Sequence, residues 1–305
     1  LYRYRNQALY LNSALCLTRD GPARLRNLLV HVRSSQAVLT CVSTDNSTKL
    51  IGQIHHPSGE RVARLAYVLP ASELEPPQLT ELLEGLAHLA GERGAFQLLG
   101  EIEENHPVFT TLRRVGFSVY AWQRIWYLPD ENLTGPGDLH WQVPKPEDEN
   151  AIRSLYQFLA PPIVQAAEPL PSPLPEGLVY RQEGEILAYV EGFYGPHGIY
   201  LRPLVHPDIE NVISLLKELR TFLQPLAGRP LYIALPSYLP WLESALEREG
   251  SQLSQRQALL VKHLTHTQRV PHFAELLSAQ HTAESRLPLA QHYTTKNKGL
   301  TQEDH

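Results

Sequence analysis

The chain has 305 residues, 43% hydrophobic and 19% charged, which is enough apolar material for real cores and more length than one ordinary domain needs. Its net charge of −5 and the lack of any basic block argue against a nucleic-acid partner, and no apolar run is long enough to span a membrane. The first residues lack an uninterrupted apolar core followed by a small-residue cleavage site, so we expect no signal peptide and a cytoplasmic location.

In chain order, we predict a strand around Tyr10–Leu17, a helix around Ala23–Val32, and strands over AVLTCVS and KLIGQIHH. Cys16 and Cys41 fall in two of these strands and read as buried, reduced thiols, with no Cys or His at zinc-ligand spacing. His55-His56 precede a turn and read as solvated. ERVARLAYVLP is a buried strand ending at Pro70. Leu79, Leu82, Leu83, Leu86, Leu89 and Ala90 then share one helix face, and Gly91 and Gly94 close the helix. The strand AFQLLGEIEE, a short helix opened and capped by Asn105 and closed by Gly116-Phe117, and the strand SVYAWQRIWYL complete the unit. Alternation puts Tyr120, Trp122, Arg124 and Trp126 on one face of that last strand. An aromatic surface there should pack against the second domain, so the halves should unfold as one unit.

PDENLTGPGD, from Pro129 to Asp138, reads as a linker. A second series follows: a strand near Trp141, a helix around Glu149–Leu159, an irregular proline-rich loop over Pro161–Pro175, and strands GLVYRQ, ILAYVEGFY and GIYLRPLVHP. Asp208 can cap a helix carrying Val212, Ile213, Leu216, Leu219, Leu223 and Leu226. PLYIALP, a helix from Ser237 to Gly250, and SQRQALLVKHL close the series. Gly116 maps onto Gly250 and Gln123 onto Gln257, both at an offset of 134 residues, so the chain is an internal duplication. The residues beyond Leu264 read as a polar tail with one short helix near Pro271–Gln280, and its histidines have no ligand spacing.

This β-α-β-β-β-α-β-α-β order, together with Asn105, its helix and Gly116-Phe117, resembles the GNAT superfamily (GCN5-related N-acetyltransferases). The resemblance implies an α/β fold of two tandem GNAT-like domains, residues 1–130 and 139–264, each a mixed, mostly antiparallel sheet flanked by helices, with residues 265–305 as a tail. It implies a transfer of acetyl from acetyl-CoA to an amine. The alternative is a non-catalytic tandem that binds a ligand or a protein partner in the same cleft. In the family the fourth and fifth strands splay, and the acyl-CoA arm pairs with the fourth. That points to Tyr67, Val68 and Leu69 in the first domain and to Leu204, Val205 and His206 in the second, with Asn105 contacting the arm. The first domain is the expected site. His206, at the cleft end of its strand and beside a helix N-terminus, is the candidate catalytic base for the amine. No metal is expected.

Both copies depart from the family at the helix start that would hold the pyrophosphate, where the pattern is (R/Q)-x-x-G-x-(G/A). Glu73 and Pro76 stand in the first copy, and Asp208 and Glu210 in the second. Carboxylates repel phosphate, and proline lacks the N–H that would bind it. Glu73→Arg with Pro76→Gly is therefore expected to tighten binding. Leu112 and Leu246 occupy the place of the family's proton-donating tyrosine.

Overall fold

A computed structural model describes residues 7–19, 38–44, 49–128, 140–223, 228–249 and 251–264. The helix expected over Ala23–Val32, the linker over Pro129–Asp138, Leu226, Gly250 and the tail from residue 265 lie outside the described residues.

The first half opens with β1 (Leu9–Tyr10) and α1 (Ser13–Thr18). The longer strand expected over Tyr10–Leu17 does not form, because the Asn12 side chain accepts the Leu15 N–H at 2.8 Å and starts a helix instead. Cys16 is therefore exposed on a helix and Cys41 is half-buried on a strand, so neither is the fully buried thiol expected. Strands β2 (Val38–Thr44), β3 (Lys49–His55) and β4 (Val62–Leu69) form a meander. Helix α2 (Pro76–Glu92) buries Leu79, Leu82, Leu83, Leu86 and Ala90, the face its periodicity gives. Strand β5 (Gln97–Glu103), α3 (Val108–Arg114) and β6 (Ser118–Leu128) complete the half. Gly116, at φ +94°, supplies the left-handed residue that ends α3.

The second half contains β7 (Trp141–Gln142), α4 (Glu149–Leu159), α5 (Pro162–Ala167), β8 (Gly177–Gln182), β9 (Glu185–Tyr194) and β10 (Ile199–Val205). It closes with α6 (Val212–Leu223), β11 (Leu231–Pro236), α7 (Glu243–Arg248), β12 (Gln252–Leu253) and β13 (Gln257–His263). The proline-rich loop is less irregular than expected. Pro162 sits in the first turn of α5, where no intrahelical N–H is needed. Asn211 rather than Asp208 caps α6, its side chain accepting the Ser214 N–H at 3.0 Å.

The fold is mixed α/β, a sheet flanked by helices, and the two series of elements share that sheet rather than each closing its own. Its order is β2-β3-β4-β5-β13-β6-β11-β10-β9-β8-β7. The halves exchange their last strands. β13 lies between β5 and β6, while β6 also pairs with β11. The two exchanges agree to within one residue of register: Lys262 lies opposite Leu98, and Leu128, its counterpart at the 134-residue offset, lies opposite Leu231, next to Leu98's counterpart Tyr232. Gln123 and Gln257, equivalent by the repeat, face each other across β6 and β13, and their side chains bond at 3.0 Å. A pseudo-two-fold axis therefore passes between them. The expected unfolding of the halves as one unit thus gains a backbone reason beyond the aromatic strand.

That aromatic strand does not present a single face. The β6–β13 register shifts between Leu259 and Leu260, leaving Tyr120 as the extra residue of a bulge. Tyr120 packs with Leu99, Ala121 and Leu259, away from Trp122. Trp122 joins the core of the first half and Trp126 that of the second.

Candidate functional site

Each half contains a parallel strand pair that separates after three residues. In the first, Val62–Arg64 pair with Gln97–Leu99, and β4 and β5 then diverge. A register shift against β3 at Ala66 adds a bulge to β4 just where the split opens. The chain fills this split itself. Leu9 lies opposite Val68 and Tyr10 opposite Tyr67. Leu11 donates its N–H to the Ala66 carbonyl at 3.0 Å and accepts the Glu101 N–H at 2.9 Å. Ala71 N–H reaches Gln7 at 2.6 Å. The edge of Tyr67, Val68 and Leu69 expected to pair with an acyl-CoA arm is thus lined by β1. The helix start beyond it is equally unsuited to phosphate, because Pro76 and Pro77 open α2 and Glu75 precedes them.

Asn105 is exposed in the turn after β5 and does not cap α3. The adjacent His106 does part of that work, its Nδ1 accepting the Val108 N–H at 3.2 Å.

In the second half, Ile199–Leu201 pair with Leu231–Ile233 before β10 and β11 diverge. The Ile199 N–H donates to the Pro230 carbonyl at 2.8 Å, so odd-numbered residues of β10 turn their backbone toward β11. The His206 N–H donates to Leu187 at 2.8 Å, so even-numbered ones face β9. Val205 and Pro203 consequently face the split, and Pro203 offers only a carbonyl. Leu204 turns its backbone to β9, opposite Tyr189, and contributes its side chain to the cavity instead. His206 stacks on the Phe158 ring with centroids 4.9 Å apart, and its Nδ1 accepts the Asp208 N–H at 3.2 Å. That bond shapes the turn before α6.

Behind the second split lies a half-buried ionic cluster. Glu168 follows α5 and reaches back over the sheet. Its Oε1 accepts from Arg64 of β4 and from Arg202 of β10, each at 2.5 Å, and its Oε2 accepts the Tyr120 hydroxyl at 2.8 Å. Tyr156 donates to the Glu168 carbonyl at 2.6 Å. Burial alone would raise the Glu168 carboxyl, but Arg202 and Arg64 outweigh it and hold the group well below the usual carboxylate range. Glu191 has the opposite balance. Burial pushes its carboxyl up, and its bond to Arg202, Nη1 to Oε2 at 3.3 Å, offsets only part of that. Burial also raises the Tyr238 phenol to about 12.

Two cavities meet at this cluster. One of about 90 Å3 sits at the mouth of the second split, lined by Arg202, Leu204, Pro236 and Tyr238. The other, about 910 Å3, lies between the inner face of β3–β4, β9 and the loop after α5. Arg64 and Glu191 line both. The sequence reading passed over Arg64, Glu168, Glu191 and Arg202. A signal was present, since Arg64 and Arg202 interrupt otherwise apolar runs in strands buried on both faces, where a charge needs a partner.

Among the described residues, no group of three or more His, Cys, Asp or Glu is placed to hold a metal ion. No helix is long and apolar enough to cross a membrane. No family model matches the sequence, and no curated protein matches it either. The solved structures it is similar to include a GCN5-related N-acetyltransferase from Sphaerobacter thermophilus, at 12% identity over 84% of this chain and 95% of that one, with a TM-score of 0.49. A GCN5-related N-acetyltransferase from Kribbella flavida matches at 13% identity over 82% and 97%, with a TM-score of 0.48. A tandem GNAT protein from the clavulanic acid biosynthesis pathway matches at 14% identity over 82% and 93%, with a TM-score of 0.47. The chain's own geometry shows a duplicated element order, exchanged last strands, and a split parallel pair in each half.

Proposed function

We propose that the chain is an acyl-CoA-dependent N-acyltransferase that works through its second half, with acetyl-CoA as donor and an amine as acceptor. The carrying observation is the asymmetry of the splits: β1 fills the first, whereas the second opens onto a cavity beside a half-buried carboxylate of raised pKa. The residues fit an extended arm in part. The Val205 backbone and the Pro203 carbonyl face the split and can pair with an amide-bearing chain. The start of α6 fits a pyrophosphate poorly, since Asn211 takes one free N–H and Asp208 and Glu210 stand nearby. Acyl-CoA would supply the activated thioester. For their part, Val205 and Pro203 hold the arm in register, and the split positions an acceptor for direct attack. Glu191, at the junction of the two cavities, accepts the amine proton, a task its raised pKa suits. His206 has no part in this scheme.

The poor phosphate grip favours a second reading, in which the split binds a ligand without turnover. Calorimetric titration of the full chain with acetyl-CoA separates the two. The transferase reading expects weak binding at one site per chain. No binding leaves the ligand-only reading standing, and two sites per chain would contradict the assignment of the first split.

A further inference from the structure

The larger cavity has a wall chemistry that selects among amines. Tyr10 and Tyr67 stand edge to face on one side, with ring centroids 6.2 Å apart, and Phe193 and Tyr194 line the other. Burial pushes the Tyr10 and Tyr67 phenols up to about 12, so both present neutral rings. Pro169, Pro171, Pro173 and Pro175 lie along the loop after α5 and offer no N–H donors to a ligand. The wall is thus aromatic, with Asn12, Gln53 and Ser172 as neutral side-chain donors elsewhere in the lining.

The charges in the cavity are not all equally available. Arg64 is committed to Glu168. The Arg61 guanidinium lies over the Phe96 ring, 5.3 Å from its centroid. On the acidic side, Arg202 engages Glu191 only through Oε2 at 3.3 Å, and Oε1 has no hydrogen bond among the described residues. Glu60 and Glu176 also line the cavity. Arg19 lines the cavity as well, but a carboxylate beside a nitrogen held at Glu191 would meet Arg64 and Arg202, both already engaged by Glu168, and the Glu191 carboxylate that repels it. An ammonium or amine would meet aromatic faces and a carboxylate oxygen with capacity to spare.

Accordingly, we propose that this cavity is the acceptor site and that it takes a primary amine on an aromatic or alkyl body that bears no carboxylate beside the amine, with the nitrogen at Glu191. This rests on the transferase reading for the word acceptor, but the binding itself does not. A cavity of about 910 Å3 can enclose a ligand of drug size. The amine nitrogen placed at Glu191 also lies where the cavity meets the second split, the position from which it could attack a thioester held there.

The test uses the full chain without any CoA and follows binding by ligand-observed NMR. The probes are 2-phenylethylamine and phenylalanine, which differ by the α-carboxylate. The expected result is binding of the amine, with phenylalanine at least about tenfold weaker, equivalent to about 1.4 kcal/mol. Glu191→Gln should weaken the amine by a similar factor. Because that change also disturbs Arg202, Tyr67→Leu serves as a second variant, and it should weaken the amine without altering the fold seen by circular dichroism. Phenylalanine binding as tightly as the amine, or amine binding indifferent to both variants, overturns the proposal. The acetyl-CoA titration stays separate. If the amine binds and acetyl-CoA does not, the transferase reading falls and the amine site stands. If acetyl-CoA binds and the amine does not, the reverse holds.

Discussion

In the first half, β4 and β5 separate beyond Arg64 and Leu99 and admit β1 between them; in the second, β10 and β11 separate beyond Leu201 and Ile233 onto a cavity. The split itself is set by backbone geometry, which both copies keep. What lies in it depends on a few residues. A peptide strand satisfies the exposed edge of β4 as well as an amide-bearing ligand would, and its bonds need no particular side chain. One copy can thus close its split by gaining a strand, with no change in the sheet. The duplicate retains its share of the ionic cluster, since Arg64 of the first half and Arg202 of the second close on one carboxylate.

Removing that carboxylate should have the largest effect on the relation between the halves. Glu168→Ala leaves Arg64 and Arg202 close together without their shared partner; breaking a fully buried pair costs about 3–5 kcal/mol, and solvent at the partly exposed guanidiniums brings this one to the lower end, about 3 kcal/mol. Thermal melting should fall by roughly 10 °C. The acid dependence has a definite sign. The folded-state carboxyl titrates below its ordinary value of 4.5, so its contribution is complete above that pH and is lost as the pH falls through and below it. The melting difference between wild type and Glu168→Gln should therefore be constant near neutrality and shrink on acidification. A difference that instead grew toward acid would show that Glu168 is not the charged centre of this cluster.

The next variant sharpens the contrast at the first split. Glu73→Arg with Pro76→Gly restores an arginine and an N–H at the start of α2, the repair the sequence invites. With β1 in place, those two changes alone should leave acetyl-CoA binding as it was, because the β4 edge is already paired. Adding Leu9→Pro removes the strand's donor opposite Val68 and should loosen β1. The three changes together are expected to raise the calorimetric stoichiometry from one site to two. If the double variant already gains a site, β1 is no barrier.

How much of this could be read from the sequence differs between elements. The face of α2 was legible because Leu79, Leu82, Leu83 and Leu86 repeat at helical spacing and nothing nearby competes. The duplication was legible because Gln123 and Gln257 keep their offset, and the structure sets those residues face to face. The exchange of last strands was not, since β6 and β13 would look the same in sequence whichever half they joined. Nor was the placement of Leu9–Tyr10 in the first split, because a two-residue strand carries no periodic signal. The Tyr120 bulge defeated simple alternation, which assigns Tyr120 and Trp122 to one face. Of the expected site residues, Val205 faces the second split. Tyr67 and Val68 pair with the chain itself, Leu204 turns its backbone away, and His206 holds a turn.

The smallest expected effect is also the most direct probe of the second split. Pro203 occupies a position whose backbone faces the opening, and as proline it gives the split a carbonyl without an N–H. Its neighbours Leu201 and Val205 share that orientation, as the Ile199 bond to Pro230 fixes. Pro203→Ala supplies the missing donor while keeping the strand apolar, and β9 loses nothing, because the even-numbered residues serve that edge. A single amide bond to a bound arm is worth about 0.5–1.5 kcal/mol net, so acetyl-CoA should bind about 2–12 times more tightly. The same substitution should hardly change the binding of 2-phenylethylamine, whose site lies on the far side of Glu191. Tighter acetyl-CoA with unaltered amine would place the two ligands on either side of that carboxylate. Equal changes in both would mean the substitution acts through the strand as a whole, and the division of labour between the cavities would fail.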